Sequence, residues 1–257
     1  MEINQAFEIL TRASNAHDAR VVVENTTNFS KLNIYRISRL LKRGVPVAKI
    51  IHQKWFYGIK FYTNRHTLDP RPDTETLVEA VIKDFNSESA APTILDLGTG
   101  TGCIIASLVK NINGATGIGL DISRGALKVA RYNIKQLGIE DKVKILKGNF
   151  FKAKSIKGTF DIIVSNPPYI AYGDARVNLG ATFDPEKALY AKDNGLAAYE
   201  AIAKNANKWL KNDGKIYLEI GDGQMQKVKK IFSNSGWFFD RAEKDLSGKN
   251  RVLIFKN

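Results

Sequence analysis

Residues Thr93–Val109 read TILDLGTGTGCIIASLV. Apolar and β-branched residues at Thr93–Leu97 fit a short buried strand, three glycines follow, and an apolar run resumes in a helical pattern from Gly102 to Asn111. Gly98, Gly100 and Gly102 permit a tight turn and close approach of a ligand to the backbone. The spacing is G-x-G-x-G, and Cys103 and Ile104 stand where a dinucleotide fingerprint places its later glycine. Asp96, just ahead of the turn, suits a ligand bearing an ammonium or sulfonium better than a pyrophosphate.

Strands are expected at TILDL, TGIGLD, VKILKG, FDIIVS, KIYLEIG and RVLIFK. Helical patterns lie between them at 102–111, 123–137, 196–210 and 224–232. Alternating strands and helices imply βαβ units and a mainly parallel sheet covered on both faces. Ligands bind such sheets beyond the carboxyl ends of the strands, so chemistry-bearing residues should follow strands. TGIGLD ends at Asp121, about twenty residues after the glycine loop, where a carboxylate accepts both hydroxyls of a ribose. VKILKGNFF ends at Asn149, placed to read an adenine edge, with Phe150 available to stack. Together with Thr99 in the loop, these strand ends describe a site for S-adenosylmethionine.

FDIIVSNPPYIAYG, Phe160–Gly173, adds the acceptor side. A buried strand ends at Ser165 on Asn166-Pro167-Pro168-Tyr169, a rigid turn whose prolines remove two backbone donors. A planar amide or aromatic amine is a poor nucleophile because its lone pair is delocalised. The Asn166 side-chain oxygen and the Pro167 carbonyl offer two acceptors for its N–H groups, and Tyr169 offers a face to stack on it. Both acceptors gain strength as positive charge develops on the nitrogen. The residues alone leave two acceptor classes open: nucleobase amines and the glutamine side-chain amide.

The first sixty-odd residues read as helices. Ser30 is a candidate cap and Gly44 a candidate stop for KLNIYRISRLLKRG, with Leu32, Tyr35, Leu40 and Leu41 expected on one face. Phe7, Ile9 and Leu10 form a shorter amphipathic turn, and WFYGIKFYTN reads as a hairpin. The expected division is residues 1–65, a helical module with a hairpin connector, and 66–257, the α/β unit. The net charge is +13 and the pI about 9.7. No acidic residue occurs from Thr26 to Leu68, while Arg36, Arg39, Lys42, Arg43 and others are basic. Such a surface fits RNA or an acidic protein partner. One cysteine, Cys103, excludes an internal disulfide and fits a reducing cytoplasm. No apolar run long enough for a membrane span and no signal-peptide pattern occur, and no metal site is expected.

Six segments then carry a resemblance: LDPRPDTETLVE (68–79), LDLGTGTGCI, NPPYI, FDPEKALYAKDNGLAAYE (183–200), LEIGDGQ (218–224) and KDLSGKNRVLIF (244–255). In this order they resemble the HemK/PrmC family, which methylates glutamine in the Gly-Gly-Gln loop of peptide-chain release factors. The resemblance implies a class I S-adenosylmethionine-dependent methyltransferase: a Rossmann-like, seven-stranded, mainly parallel sheet with a small N-terminal helical domain that docks the substrate. It implies substrate-amide contacts by Asn166 and Pro167 with Pro168 in the same turn, packing by Tyr169, and cofactor contacts by Gly98–Gly102 and Asp121. Arg71 is a further substrate-side candidate. Release factors are the implied partner, ribosomal RNA a further one for the basic region, and a monomer is expected. Asp73, Asn149 and Asp184 depart from the family's usual residues; Asp73 and Asp184 also read as caps of helices or turns, and Arg71 as a loop brace.

Overall fold

The computed structural model describes residues 1–85, 91–152, 156–175 and 179–257. The chain opens with helices α1 (Ile3–Thr11), α2 (Ala16–Asn25), α3 (Lys31–Lys42) and α4 (Val47–Ile51). The side-chain oxygens of Asn15 and Ser30 accept from Asp18 N and Asn33 N, capping α2 and α3. Gly44, at φ 76°, follows the end of α3. The apolar face of α3 differs from the expected one. Ile34, Ile37 and Leu41 are buried, whereas Leu32 and Tyr35 are 80% and 51% exposed. A helical stripe spaced by three and four from Ile34 competes with the one starting at Leu32, and packing against Ala6, Leu10, Ala19 and Val22 selects the first.

Strands β1 (Gln53–Phe56) and β2 (Ile59–Tyr62) form an antiparallel hairpin. Phe56 and Phe61 enter a core with Leu77 and Val78 of α5 (Pro72–Phe85), so the aromatic side of the hairpin joins the core of the larger unit. Asn133 fastens it further, accepting from Tyr62 N at 2.8 Å and donating to Tyr62 O at 3.0 Å.

The larger unit runs β3 (Thr93–Leu97), α6 (Cys103–Asn111), β4 (Thr116–Asp121), α7 (Arg124–Gln136), β5 (Val143–Lys147) and β6 (Phe160–Ser165). Two-residue strands β7 (Ile170–Ala171) and β8 (Tyr190–Ala191) pair beside the Asn166 turn, with a single helical turn α8 (Glu186–Leu189) and the short segment α9 (Lys192–Gly195), left-handed at Asp193 and Asn194, around them. Then come α10 (Ala197–Asn205), β9 (Leu210–Glu219), α11 (Met225–Asn234), β10 (Phe238–Lys244) and β11 (Asn250–Lys256). The main sheet has seven strands in the order β10-β11-β9-β6-β3-β4-β5. Pairs within β9-β6-β3-β4-β5 are parallel, while β11 is antiparallel to both β9 and β10. This is a class I methyltransferase fold. Of the seven strands, β10 has no counterpart among the six periodic segments: FFDRAEK mixes charge through an edge strand that is only half-buried.

The sheet order sets the site. The carboxyl ends of β3, β4 and β6 lie side by side, and β9 ends beside β6, with Ser165 paired to Leu218. Asn166 and Glu219 therefore leave neighbouring strands at the same level.

Candidate active site

A cavity of about 700 Å³ sits over these strand ends. Gly98, Thr99, Gly100, Asp121, Asn149 and Phe150 line one part of it, and Asn166, Pro168 and Arg71 another. A second cavity of about 310 Å³ adjoins it, lined by Tyr169, Asp73, Leu189 and Glu219. Leu68, Arg71, Asn166 and Ala188 border both. The turn thus stands between a large chamber and a small one.

In the large chamber the backbone makes the floor. Gly98 and Gly100 have φ of 77° and 55°, and a β-carbon at Gly98 would meet nothing within 4 Å. Glycine is required there by conformation, with open space above for a ligand. Asp121 Oδ2 accepts from Gly100 N at 3.0 Å and Oδ1 from Ser123 N at 2.8 Å. Each oxygen keeps a lone pair, so a diol remains a fitting partner. Burial raises the Asp121 carboxyl above its ordinary value, against the opposing pull of those N–H groups.

Asp96 lies deeper than expected: it is fully buried and reaches the chamber through Thr99, whose hydroxyl donates to Oδ2 at 2.6 Å. Oδ1 has no hydrogen-bond partner among the described residues. Burial pushes its pKa up to about 7, with Asp121 adding to the rise and the Thr99 bond opposing it. An orphaned buried carboxylate oxygen behind a glycine loop fits a ligand with a cationic end. Gly102 acts structurally, at φ 81° over Ala130 where α6 begins. Asn149 uses its side-chain oxygen to accept from Phe151 N at 2.9 Å, closing a local turn. Phe150 stacks on Phe151 with ring centroids 5.0 Å apart. Cys103 is buried and its thiol pushed up to about 12 by burial, an inert packing group.

On the acceptor side, Pro167 is buried, while Asn166, Pro168 and Tyr169 reach the cavities. Asn166 Nδ2 donates to Thr74 Oγ1 at 3.1 Å. The Tyr169 phenol donates to Glu219 Oε1 at 3.3 Å, and the Tyr169 carbonyl accepts from Gln224 Nε2 at 2.9 Å. Gln224 Oε1 in turn accepts from Gly221 N. A β-carbon on Gly195 would sit 2.2 Å from the Tyr169 carbonyl oxygen. The turn is therefore gripped from two sides.

The PRPDTE segment is the bracket of the site. Arg71 donates to Asp184 Oδ2 at 2.7 Å, Asp73 pairs with Arg251 at 3.0 Å, Thr74 takes the Asn166 amide, and Glu75 Oε1 accepts from Tyr57 N at 2.8 Å. The Asp184 carboxylate serves distant partners, accepting from Asp69 N as well as from Arg71. It also meets the buried Lys49 of α4 at 2.8 Å, and Lys49 meets Asp69 at 2.9 Å. Lys49, Asp69, Thr74, Glu219 and Gln224 were not singled out from the sequence. Glu219 carried a signal, an acid inside the apolar strand KIYLEIG; Lys49, inside PVAKIIHQ, carried a similar one. Among the described residues no cluster of three metal-ligating groups occurs, and no helix is long and apolar enough to cross a membrane.

The methyltransferase-domain family matches residues 88–250. The release factor glutamine methyltransferase of Agrobacterium fabrum is 37% identical over 265 residues, covering 93% of this chain and 89% of its own. A bifunctional methyltransferase of Rickettsia prowazekii is 38% identical over 97% of this chain, which spans only 52% of that longer protein. A solved methyltransferase structure from Pyrococcus furiosus superposes with a TM-score of 0.59 at 20% identity, over 86% of this chain and 97% of that one, and attests the fold alone. With the glycine loop, the Asn166 turn and relatives of this similarity along nearly the whole chain, the chain belongs to the release factor glutamine methyltransferase family.

Proposed function

We propose that this chain transfers a methyl group from S-adenosylmethionine to the side-chain amide nitrogen of glutamine, in the Gly-Gly-Gln loop of class 1 peptide-chain release factors. The observation that carries the reading is the orientation of Asn166. With Nδ2 committed to Thr74, Oδ1 is left to accept an N–H from a planar substrate amide.

When bound, the methyl donor supplies an electrophilic carbon on a sulfonium. The chain supplies placement. Asp121 would hold the ribose, the Gly98–Gly102 loop and Asp96 the amino-acid end, and Phe150 and Asn149 the adenine side. Since Asn149 Oδ1 already serves Phe151 N, its amide nitrogen is the freer group toward the base. On the other side, Asn166 Oδ1 and the Pro167 carbonyl would take the two amide hydrogens, turning the nitrogen lone pair toward the chamber. Tyr169 walls the small cavity and keeps water from the reacting nitrogen. The step is then driven by alignment and by acceptors that strengthen as charge develops, with no strong base required.

The outer face of α3 is the proposed docking surface for the protein substrate. Lys31, Arg36, Arg39, Lys42 and Arg43 are exposed beside Leu32 and Tyr35, a basic surface with apolar anchors. The same charge is suited to a ribosomal RNA contact when the factor is ribosome-bound.

The test is incubation with labelled methyl donor and, separately, purified release factor, its glutamine-loop variant, DNA and tRNA. Label entering the factor but not the loop variant is expected. Label confined to nucleic acid would overturn the assignment.

A further inference from the structure

Gln224 lies just beyond β9, 55 residues after Tyr169, and meets the carbonyl at the exit of the Asn166 turn. Its amide has a defined direction, because a backbone group fixes each end. The Gly221 N–H donates to Oε1 at 2.9 Å, and Nε2 donates to the Tyr169 carbonyl at 2.9 Å. Two buried glycines wall this contact. A β-carbon on Gly195 would stand 3.0 Å from Gln224 Nε2, and one on Gly221 would stand 2.9 Å from Gln224 Oε1 and 3.0 Å from Tyr169 Cδ2. Backbone has been brought up against the amide from both sides.

The turn needs an outside anchor. Pro167 and Pro168 carry no N–H, so neither can brace it with a backbone donor, while their fixed φ makes it stiff. A stiff segment is placed by its ends. At the entry, Ser165 is paired with Leu218 of β9, and its hydroxyl donates to Leu97 O at 2.6 Å. At the exit, Gln224 holds the Tyr169 carbonyl, one residue before the short strand β7. Asn166 and the Pro167 carbonyl stand between those two points. The Tyr169 phenol meets Glu219 Oε1 at 3.3 Å, which steadies the ring but leaves the main chain to Gln224.

We infer that Gln224 is a positioning residue for methyl transfer: by donating to the Tyr169 carbonyl it fixes the exit of the Asn166 turn, and with it the two acceptors offered to the substrate nitrogen. This role rests on the reading that those acceptors hold a planar amine or amide. Since Gly221 N claims one end of the side chain, only a donor at the other end can serve. A carboxylate in place of the amide would set oxygen against the Tyr169 carbonyl oxygen. A protonated carboxyl would restore the contact, accepting from Gly221 N with one oxygen and donating to Tyr169 O with the other. Gln224→Glu therefore makes the same contact switchable by pH. The facing carbonyl and partial burial both raise that carboxyl above its ordinary value of about 4. The titratable and charged groups around the contact are Tyr199 of α10, whose phenol lies 3.5 Å from Gln224 Oε1, Glu219 of β9 at the Tyr169 phenol, Arg251 of β11 and Asp73 of α5. All of them are present in wild type too, so the ratio of variant to wild-type kcat isolates position 224.

The experiment compares wild type, Gln224→Met and Gln224→Glu on a glutamine-loop peptide at saturating methyl donor, from about pH 5.5 to about pH 8.5, across the range where a raised carboxyl titrates. Gln224→Met, similar in length but unable to donate, should lower kcat by about 10- to 100-fold at every pH, the scale of a small misplacement of reacting groups. KM for the peptide and affinity for S-adenosylhomocysteine should stay within about threefold of wild type. The ratio of Gln224→Glu to wild-type kcat should fall at least about tenfold as pH rises through the new carboxyl. That titration is internal to one folded protein, with melts at each pH as the check, and it stands even if Gln224→Met folds poorly. A carbon-13 label in the Tyr169 carbonyl gives a readout independent of turnover: its shift should move in Gln224→Met and titrate in Gln224→Glu. Wild-type kcat in Gln224→Met, a loss in Gln224→Glu that does not change with pH, or a cofactor affinity falling in step with kcat would overturn the inference. If wild type is silent on the peptide but methylates a nucleobase, the glutamine reading fails. The same three proteins assayed on that base then decide the role of Gln224.

Discussion

Lys49 of the helical module and Asp184 of the loop beyond the Asn166 turn lie 2.8 Å apart, and both are buried. Asp184 spans the gap to Arg71, which borders both cavities. Lys49 stands 120 positions before Tyr169 of the turn and is unnecessary for local structure there, so the pair reports how the module is tied to the site: through charge, in a dry place.

Removing that cation should be costly. Lys49→Met leaves Asp69 and Asp184 buried against an apolar side chain, a loss of about 3–5 kcal/mol for a broken buried pair. Denaturant unfolding measures it. Adding Asp69→Asn to Lys49→Met should recover part of the loss, because Asp69 then loses the charge that Lys49 had balanced, while Asp184 keeps Arg71.

Asn166→Ala should cut turnover by about 10²- to 10³-fold, the scale of removing one preorganised transition-state partner. Calorimetry should find S-adenosylhomocysteine affinity within a few fold of wild type. A collapse of that affinity instead would place Asn166 chiefly on the cofactor side.

Protonation of Asp96 should be visible in binding. With its pKa pushed up to about 7, the buried carboxylate behind Thr99 gains its charge across the neutral range, and Thr99 carries that change to the chamber. Affinity for S-adenosylhomocysteine should therefore strengthen from pH 6 to pH 8, and Asp96→Asn should flatten the dependence. Stability runs the other way. A carboxyl raised on folding binds its proton more tightly in the folded state, so Asp96 and Glu219 contribute stability below the ordinary carboxyl pKa of about 4. That contribution disappears as pH climbs through about 7, and thermal melts of the ligand-free protein should register the decline.

Charge reversal on α3 tests docking. Arg39→Glu with Lys42→Glu should raise the apparent KM for intact release factor at least about tenfold while leaving a short glutamine peptide nearly unaffected, as expected for removal of an electrostatic contact remote from the chemistry. Equal effects on both substrates would remove α3 from the docking surface.

Much of this was legible in the chain. Glycines with positive φ, strand-terminal acids and consecutive prolines carry their meaning locally, so the Gly98–Gly102 loop, Asp121 and the Asn166 turn are readable from short windows. The apolar face of α3 was not, because two stripes of similar hydrophobicity share the helix and only packing against α1 and α2 separates them. Asp96 was placed correctly along the chain, yet its depth behind Thr99 is a three-dimensional fact. Lys49, Thr74 and Glu219 stand apart in sequence and acquire their roles only where α4, α5 and β9 converge. Single-residue anomalies, a lysine or a glutamate inside an apolar run, were the local trace of that convergence.

The grip on the Tyr169 carbonyl has a practical corollary for redesign. Gln224 holds that oxygen from one side and Gly195, at φ 85°, leaves no room for a β-carbon on the other. Gly195→Ala should lower both stability and turnover, as thermal melts and initial rates will show. Redesign of the acceptor pocket should therefore leave the turn untouched and begin at the half-buried Ala188, which borders both cavities.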